Sequence, residues 1–336
     1  MSTADFAAFS NNAVMFASIV YVLAFLAHVV EWSASRAAAA TTSGQVRRTE
    51  PVAVGAPDTG ATDVALGPDG TDAADLEAVE QRVEKWGRIG IALTAVAVLL
   101  HLAALVSRGL GSDPARVPWG NMYEFTLAGA FGVGATYLLL ARRYSLRWMG
   151  LPVTGFQVVV LMLAVLLLYE PAGPLVPALH SYWLVIHVAA AVIASGAFAV
   201  GAIASALFLV KERAVRRGTL RPGGYLDRLP TTVDLDRVAY RLHAFGFPIW
   251  TFAALVAGPI WAEYAWGRYW NWDPKEVWAF ITWVVYAAYL HARATAGWRG
   301  KAAAVIALVG FATLLFNVVG INFFFGGGSM HSYAGK

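Results

Sequence analysis

Residues 148–168 read WMGLPVTGFQVVVLMLAVLLL, a run of 21 residues without a charged side chain. A bilayer core of about 30 Å requires about 20 apolar residues in a helix, so this run is long enough to cross a membrane. Further stretches of the same kind lie near 12–30, 88–107, 122–141, 182–210, 242–262, 277–296 and 302–323. We therefore expect an all-α integral membrane protein with about eight transmembrane helices.

The composition supports a membrane protein and limits its chemistry. Of 336 residues, 58% are hydrophobic and 14% are charged, whereas soluble domains carry about 25% charged residues. The chain contains no cysteine, which excludes disulfides, thiolate metal sites and thiol catalysis within it. Any redox-active thiol must therefore belong to a partner or a substrate.

The basic residues are distributed unevenly between alternate loops. With the N-terminus outside, 20 of the 25 Lys and Arg residues lie on the inner side, eight of them within 211–241. The positive-inside rule therefore predicts that both termini and the Trp-rich segment 261–283 lie outside. The same bias explains the net charge of +4, so we expect no nucleic-acid partner.

The apolar stretches and the local composition divide the chain into three predicted regions. Residues 1–31 form a first transmembrane helix, and 87–336 form a core of seven helices. Between them, 32–86 is rich in Ala, Thr, Gly and Asp and has few large apolar residues. Such a composition is typical of disorder, so we expect a disordered cytoplasmic insertion there.

Tryptophan is concentrated in one segment. Residues 261–283 read WAEYAWGRYWNWDPKEVWAFITW and hold six of the 13 Trp residues. One interpretation is an aromatic belt that anchors helix ends at the membrane interface. The other is an apolar platform for a large planar ligand, with Asn271, Asp273 and Arg268 positioning its polar edges.

The Asp-Pro pair in this segment predicts the start of the seventh helix. Asp273 has the residue type of an N-cap, Pro274 suits the first helical position and Glu276 suits the third. Asp273 is thus either a helix cap, a ligand contact or both.

The form Trp-Gly-x-x-Trp-x-Trp-Asp-Pro-Lys-Glu, within WGRYWNWDPKEVWAFITWVVYAAYLH at 266–291, resembles the WWD signature of haem-handling proteins. In this spelling it is similar to the CcsA family, also called ResC and, in some actinobacteria, CcsB. Further matching segments are PWGNMYEF at 118–125, LHSYWLVIHV at 179–188, GFP at 246–248 and MHSY at 330–333. The resemblance runs from about residue 88 to 336.

The resemblance implies a role in the System II pathway of cytochrome c biogenesis, at the outer face of a bacterial inner membrane. It implies haem b as the bound group and three partners: a ResB-like membrane subunit, apocytochrome c and a thiol-reducing thioredoxin-like protein. With its partner subunit, the chain would export haem and form part of a holocytochrome c synthase that attaches haem to Cys-x-x-Cys-His motifs. The ligands that carry over are His187 and His331 for an outer haem iron and His291 for an inner one.

The Trp platform adds Trp266, Trp270 and Trp272 to the expected haem-binding residues, together with Asn271 and Asp273. His291 lies about 15 residues into the seventh helix, so it sits roughly 20 Å below the outer surface and cannot share the outer haem. A second inner ligand would come from the partner subunit, with His243 and His28 as alternatives within the chain. We interpret His180 as a solvated or rim residue and His101 as a packing residue that forms a hydrogen bond. Glu124 is either a helix-terminal charge or a structural or partner contact.

Three alternatives remain at this point. A CcmC- or CcmF-type protein would pass haem to a carrier instead of attaching it. A b-type electron-transfer subunit would place paired histidines on facing helices near both membrane surfaces. A transporter of another substrate would bind no haem.

Overall fold

The computed structural model describes residues 1–48, 70–144, 146–173, 180–295, 297–325 and 329–331, and regular structure there is helical throughout. The prediction of an all-α protein is confirmed. The helices are α1 Thr3–Arg48, α2 Gly70–Leu110, α3 Met122–Arg143, α4 Gly150–Leu167, α5 Tyr182–Arg216, α6 Tyr225–Arg228, α7 Thr232–Phe252, α8 Gly258–Trp266, α9 Pro274–Thr295, α10 Lys301–Leu315 and α11 Ile321–Phe324. A 3-10 turn, Leu146–Met149, precedes α4, and π-helical turns follow α7 at Ala253–Ala257 and α10 at Phe316–Gly320.

Each of the eight predicted stretches is helical over almost all of its described residues. In the described part of the chain, seven segments are long and apolar enough to cross a membrane. They are Thr3–Ala34, Glu77–Leu110, Met122–Arg143, Leu146–Leu167, Tyr182–Arg216, Thr232–Trp266 and Lys301–Phe324. The eighth stretch, α9, is not among these seven; it carries Lys275 and Glu276 in its first turn and Arg293 in its last. The orientation of the termini and of the Trp-rich segment stays a prediction.

The predicted insertion at 32–86 is only partly described. Residues 32–48 continue α1, and 70–86 form the first part of α2. The disorder of the insertion stays a prediction. Alanine has the highest helix propensity, and the run of four alanines after Arg36 favours continuation of the preceding helix. The remainder of the predicted insertion, 49–69, lies outside the described residues.

Helix α5 occupies the centre of the core, where it packs against α3, α7 and α10. Small residues allow this packing. A Cβ atom at Gly196 would lie 2.5 Å from the carbonyl oxygen of Gly132, and one at Gly246 would lie 2.8 Å from the ring of Phe198. Close approach of backbones through small residues is the usual mode of helix association in membranes.

Three of the seven histidines are buried in these helix interfaces. His28 lies between α2 and α4, where Cβ atoms at Gly90 and Gly150 would approach its ring to 2.6 and 2.4 Å. His243 packs against Phe198, Tyr286 and Tyr289. His101 contacts the rings of Tyr21 and Phe131.

An ion-pair cluster joins α2, α3 and the chain that follows α4. The carboxylate of Glu124 accepts hydrogen bonds from Arg108 Nε (3.0 Å), Arg116 Nη1 (2.7 Å) and the backbone N–H of Gly120 (2.7 Å). The guanidinium groups also donate to the carbonyl oxygens of Glu170 and Gly173. All three charged side chains are buried. Glu124 is therefore a structural contact, which was one of its two sequence interpretations.

Replacement of Glu124 by Gln should destabilise the protein strongly. The substitution leaves two buried guanidinium groups without a carboxylate, and removal of one partner from a buried ion pair costs about 3–5 kcal/mol. We expect a clear drop in the thermal unfolding midpoint of the detergent-solubilised chain. Glu84→Gln is the control, because it breaks the exposed Arg88–Glu84 pair and exposed pairs contribute little. Equal midpoints for the two variants would contradict the structural role of Glu124.

Candidate functional site

A cavity of about 820 Å³ lies between α3, α4, α5, the π turn after α7, α9 and the end of α10. This volume is within the range of 300–1,000 Å³ that is typical of ligand sites. Its walls are mostly apolar, and its polar lining residues include His187, Lys275, Glu276 and His331. The cavity extends along α5 from Leu184 to Ala199, which is about 22 Å of helix.

His187 enters the cavity wall from the second turn of α5. Its Nδ1 atom lies 2.9 Å from the carbonyl oxygen of Ala253. Its ring stacks on Trp261 at a centroid distance of 5.9 Å and an interplanar angle of 12°. The hydrogen bond to a carbonyl assigns the proton to Nδ1, so Nε2 is the nitrogen that remains for a metal ligand.

The acceptor for His187 lies in an irregular turn of the helix. In the π turn Ala253–Ala257, the N–H of Gly258 donates to the carbonyl oxygen of Ala253, which also accepts from His187. A Cβ atom at Gly258 would lie 3.2 Å from the His187 ring. Glycine at this position therefore allows the histidine to approach the turn.

His331 reaches the same place from the C-terminal segment, residues 329–331. Its Nδ1 lies 3.0 Å from Oδ1 of Asp273. Its ring makes edge contacts with Trp261 and Trp266, at centroid distances of 5.3 and 4.6 Å. Both histidine rings thus lie within 6 Å of the Trp261 ring.

The carboxylate of Asp273 holds the C-terminal segment in position. Besides His331, it accepts hydrogen bonds from the Ser329 hydroxyl (2.8 Å), the Met330 N–H (2.7 Å) and the Lys275 N–H (2.9 Å). Burial alone would raise the pKa of Asp273, but the interactions with His331, Lys275 and Ser329 outweigh burial and lower the pKa to about 2. The group is therefore ionised at neutral pH and accepts hydrogen bonds at both oxygens.

The predicted start of the seventh helix is confirmed. Helix α9 begins at Pro274, and the Lys275 N–H bonds to the side chain of Asp273 as expected of a cap. In return, Glu276 accepts from the N–H of Asp273 (3.1 Å) and of Asn271 (2.8 Å). This is the reciprocal arrangement of a capping box. Asp273 is both the helix cap and the partner of His331.

The remaining residues of the Trp-rich segment separate into two groups. Trp270 lines the cavity, and Trp266 packs against Trp261 and His331. Trp272 is 70% exposed, has a positive φ of 57° and contacts Trp270 edge-on. Asn271 is also exposed and does not line the cavity.

The other expected ligands lie elsewhere. His291 is exposed near the end of α9 and does not line the cavity. Tyr289, two residues earlier and about 200° around the helix, packs on His243, so His291 points away from His243. His180 is exposed and lines a smaller cavity of about 370 Å³ together with Arg116 and Trp119.

Sequence reasoning missed two features of this site. Trp261 was named only as the beginning of the Trp-rich segment, yet it is the buried residue that contacts both histidines. The second feature is the backbone carbonyl of Ala253, which no side chain in the sequence can indicate. The only sequence indication was Pro259, which lacks the N–H that a regular helix requires at that position.

Replacement of Asp273 by Asn should loosen the C-terminal segment. The amide retains one acceptor oxygen but loses the charge, and hydrogen bonds to charged groups contribute about 1.5–3 kcal/mol each. We expect faster hydrogen exchange in the peptide that contains Met330. Asp234→Asn is the matched control, because Asp234 accepts from Thr231 and Arg237 at the start of α7. Unchanged exchange in the Asp273 variant would show that the segment is held by other contacts.

Known proteins provide an independent comparison. A family model described as cytochrome C assembly protein matches residues 119–327. The cytochrome c biogenesis protein CcsA of Synechococcus sp. strain JA-3-3Ab is 33% identical, over 75% of this chain and 87% of the relative. The proteins of that name from Gloeobacter violaceus and Porphyra purpurea are 32% and 35% identical, over 77% and 64% of this chain and 90% and 78% of the relatives. This chain belongs to the cytochrome c assembly family and, as its Trp-rich motif indicates, to the CcsA proteins within it.

Proposed function

We propose that this chain acts in cytochrome c biogenesis by binding haem b between His187 and His331 and presenting it for covalent attachment to apocytochrome c. The family membership supports the role in biogenesis, and the site supports the haem. One observation carries the site: two histidines from distant parts of the chain line one cavity, and each has Nδ1 held by a fixed oxygen acceptor.

The residues present fit haem. Neither Nε2 of these two histidines forms a hydrogen bond within the described part of the chain. A second hydrogen bond that fixes the tautomer and the ring orientation is the usual arrangement around a metal-bound imidazole. Trp261 and Trp270 supply aromatic surface beside these nitrogens, and the apolar walls exclude water from the iron.

Haem supplies the iron and the vinyl groups that react with cysteine thiols. Each thiol adds across a vinyl C=C bond: sulfur bonds to one carbon and a proton is added to the other. This chain has no cysteine, so both thiols come from the apocytochrome. Its own residues bind the iron, orient the ring and keep the cavity dry, while a thioredoxin-like protein keeps the apocytochrome thiols reduced.

A second, inner site at His291 belongs to the same proposal. The exposed position of His291 on α9 places it where a partner helix can reach it. We therefore assign the second inner ligand to a ResB-like membrane subunit. Haem would pass from this site to the cavity and be presented at the extracytoplasmic face of a bacterial inner membrane, with the partner subunit completing the holocytochrome c synthase.

The electron-transfer alternative finds no support in the buried histidines. His28 and His243 are enclosed by helix backbone, and a single methyl group at Gly90, Gly150 or Gly201 would lie within 3.0 Å of a ring. A porphyrin has no room beside them. The delivery of haem to a carrier, as in a CcmC- or CcmF-type protein, has no specific observation in its favour.

Alanine at His187 or at His331 should reduce the haem that copurifies with the chain and its partner, because each variant removes one of the two side chains that would hold the iron. The Soret band of the purified complex measures this, and added imidazole should restore the band if the fold is intact. His180→Ala is the matched control. His180 lies just before α5, seven residues from His187, but it lines the smaller cavity. A wild-type spectrum in both the His187 and the His331 variants would refute the assignment of the site.

A further inference from the structure

Two asparagines in the cavity wall have unsatisfied oxygens. Asn317 and Asn322 are 7% and 4% exposed, and both line the cavity. In the described part of the chain, neither Oδ1 atom has a hydrogen-bond partner. An unsatisfied buried polar group costs about 1–3 kcal/mol, so two such groups in one wall require an explanation.

The orientation of one amide is fixed by its surroundings. Nδ2 of Asn322 donates to the carbonyl oxygen of Val318 at 2.7 Å. A flipped amide would place two oxygens against each other there, so Oδ1 is the atom that remains without a partner.

The second π turn brings the two amides onto one side of the helix. Residues five apart in a regular α-helix differ by about 140° around the axis. In Phe316–Gly320 the N–H of Ile321 bonds to the carbonyl oxygen of Phe316, and this i to i+5 pattern returns the chain to the same face after five residues. Asn317 and Asn322 therefore both reach the cavity.

The same wall borders an opening of the cavity. Val318 and Phe323, beside the asparagines, and Leu163 and Leu167 of α4 line the cavity and are also exposed on the surface of the chain. An occupant at this position is surrounded by apolar side chains and must offer hydrogen-bond donors to two oxygens.

A protonated carboxyl group meets this requirement, whereas an ionised carboxylate only accepts hydrogen bonds. Burial in apolar surroundings favours the neutral form of a carboxyl group. Haem carries two propionic acid groups. We propose that Asn317 and Asn322 accept hydrogen bonds from these groups in their protonated form, and that they select porphyrins with free carboxyl groups. This assignment rests on the proposed haem function of the cavity.

The test compares iron protoporphyrin IX with its dimethyl ester, which lacks the carboxyl protons. Both ligands are titrated into the purified full-length chain, and the Soret band reports binding. The wild-type chain should bind haem about tenfold more tightly than the ester, as expected for a loss of about 1.4 kcal/mol.

The double substitution Asn317→Leu and Asn322→Leu preserves approximate volume and removes both acceptors. We expect haem affinity to fall about tenfold while the affinity for the ester is unchanged, so that the preference disappears. The thermal midpoint of the ligand-free variant should equal or exceed that of the wild-type chain, because two unsatisfied groups are gone. If the double variant fails to fold, the two single variants are measured in its place.

Thr126→Val is the matched control, because Thr126 also lines the cavity but its hydroxyl bonds to the Met122 carbonyl of its own helix. This variant should retain the full preference for haem. The proposal would be overturned if the asparagine variants lost affinity for haem and ester equally, or if the wild-type chain bound the two equally well. Either result would leave the proposed haem function unaffected. If the wild-type chain bound neither porphyrin, the haem function itself would fail.

Discussion

The carboxylate of Asp273 is the interaction on which the site depends. It receives donors from the first turn of α9 and from all three residues of the C-terminal segment. One residue thereby fixes where α9 begins, where His331 lies at the cavity and which nitrogen of His331 carries the proton. Because Asp273 is ionised and buried, these hydrogen bonds act in a medium of low dielectric constant, where charge-assisted bonds are strong.

The helix irregularities have a comparable role in the walls. Each π turn lies beside the cavity, and in each an i to i+5 hydrogen bond replaces the i to i+4 bond of a regular helix. At Ala253–Ala257 the turn supplies a carbonyl acceptor for His187. At Phe316–Gly320 it aligns two amides. Insertions of this kind are frequently found at functional sites.

Much of this arrangement could be predicted from the sequence, for a physical reason in each case. Apolar length predicted the helices, and the Asp-Pro-Lys-Glu spacing predicted the capping box, because both signals are local. The prediction of His187 and His331 required a family motif, since nothing local distinguishes His187 from His101 or His243. The partners of Glu124 depend on three separate chain segments that meet only in the folded protein. The π turns arise from packing and leave no period in the sequence, so Trp261 and the two asparagines gained their importance only from the structure.

The two histidines of the site are held by different kinds of interaction. His187 lies on the long helix α5, where its ring bonds to the Ala253 carbonyl and stacks on Trp261. His331 lies in a segment whose Ser329, Met330 and His331 all bond to the carboxylate of Asp273. The position of His187 thus depends on how the helices pack, whereas the position of His331 depends on one ionised side chain. The two halves of the site can therefore be perturbed independently of each other.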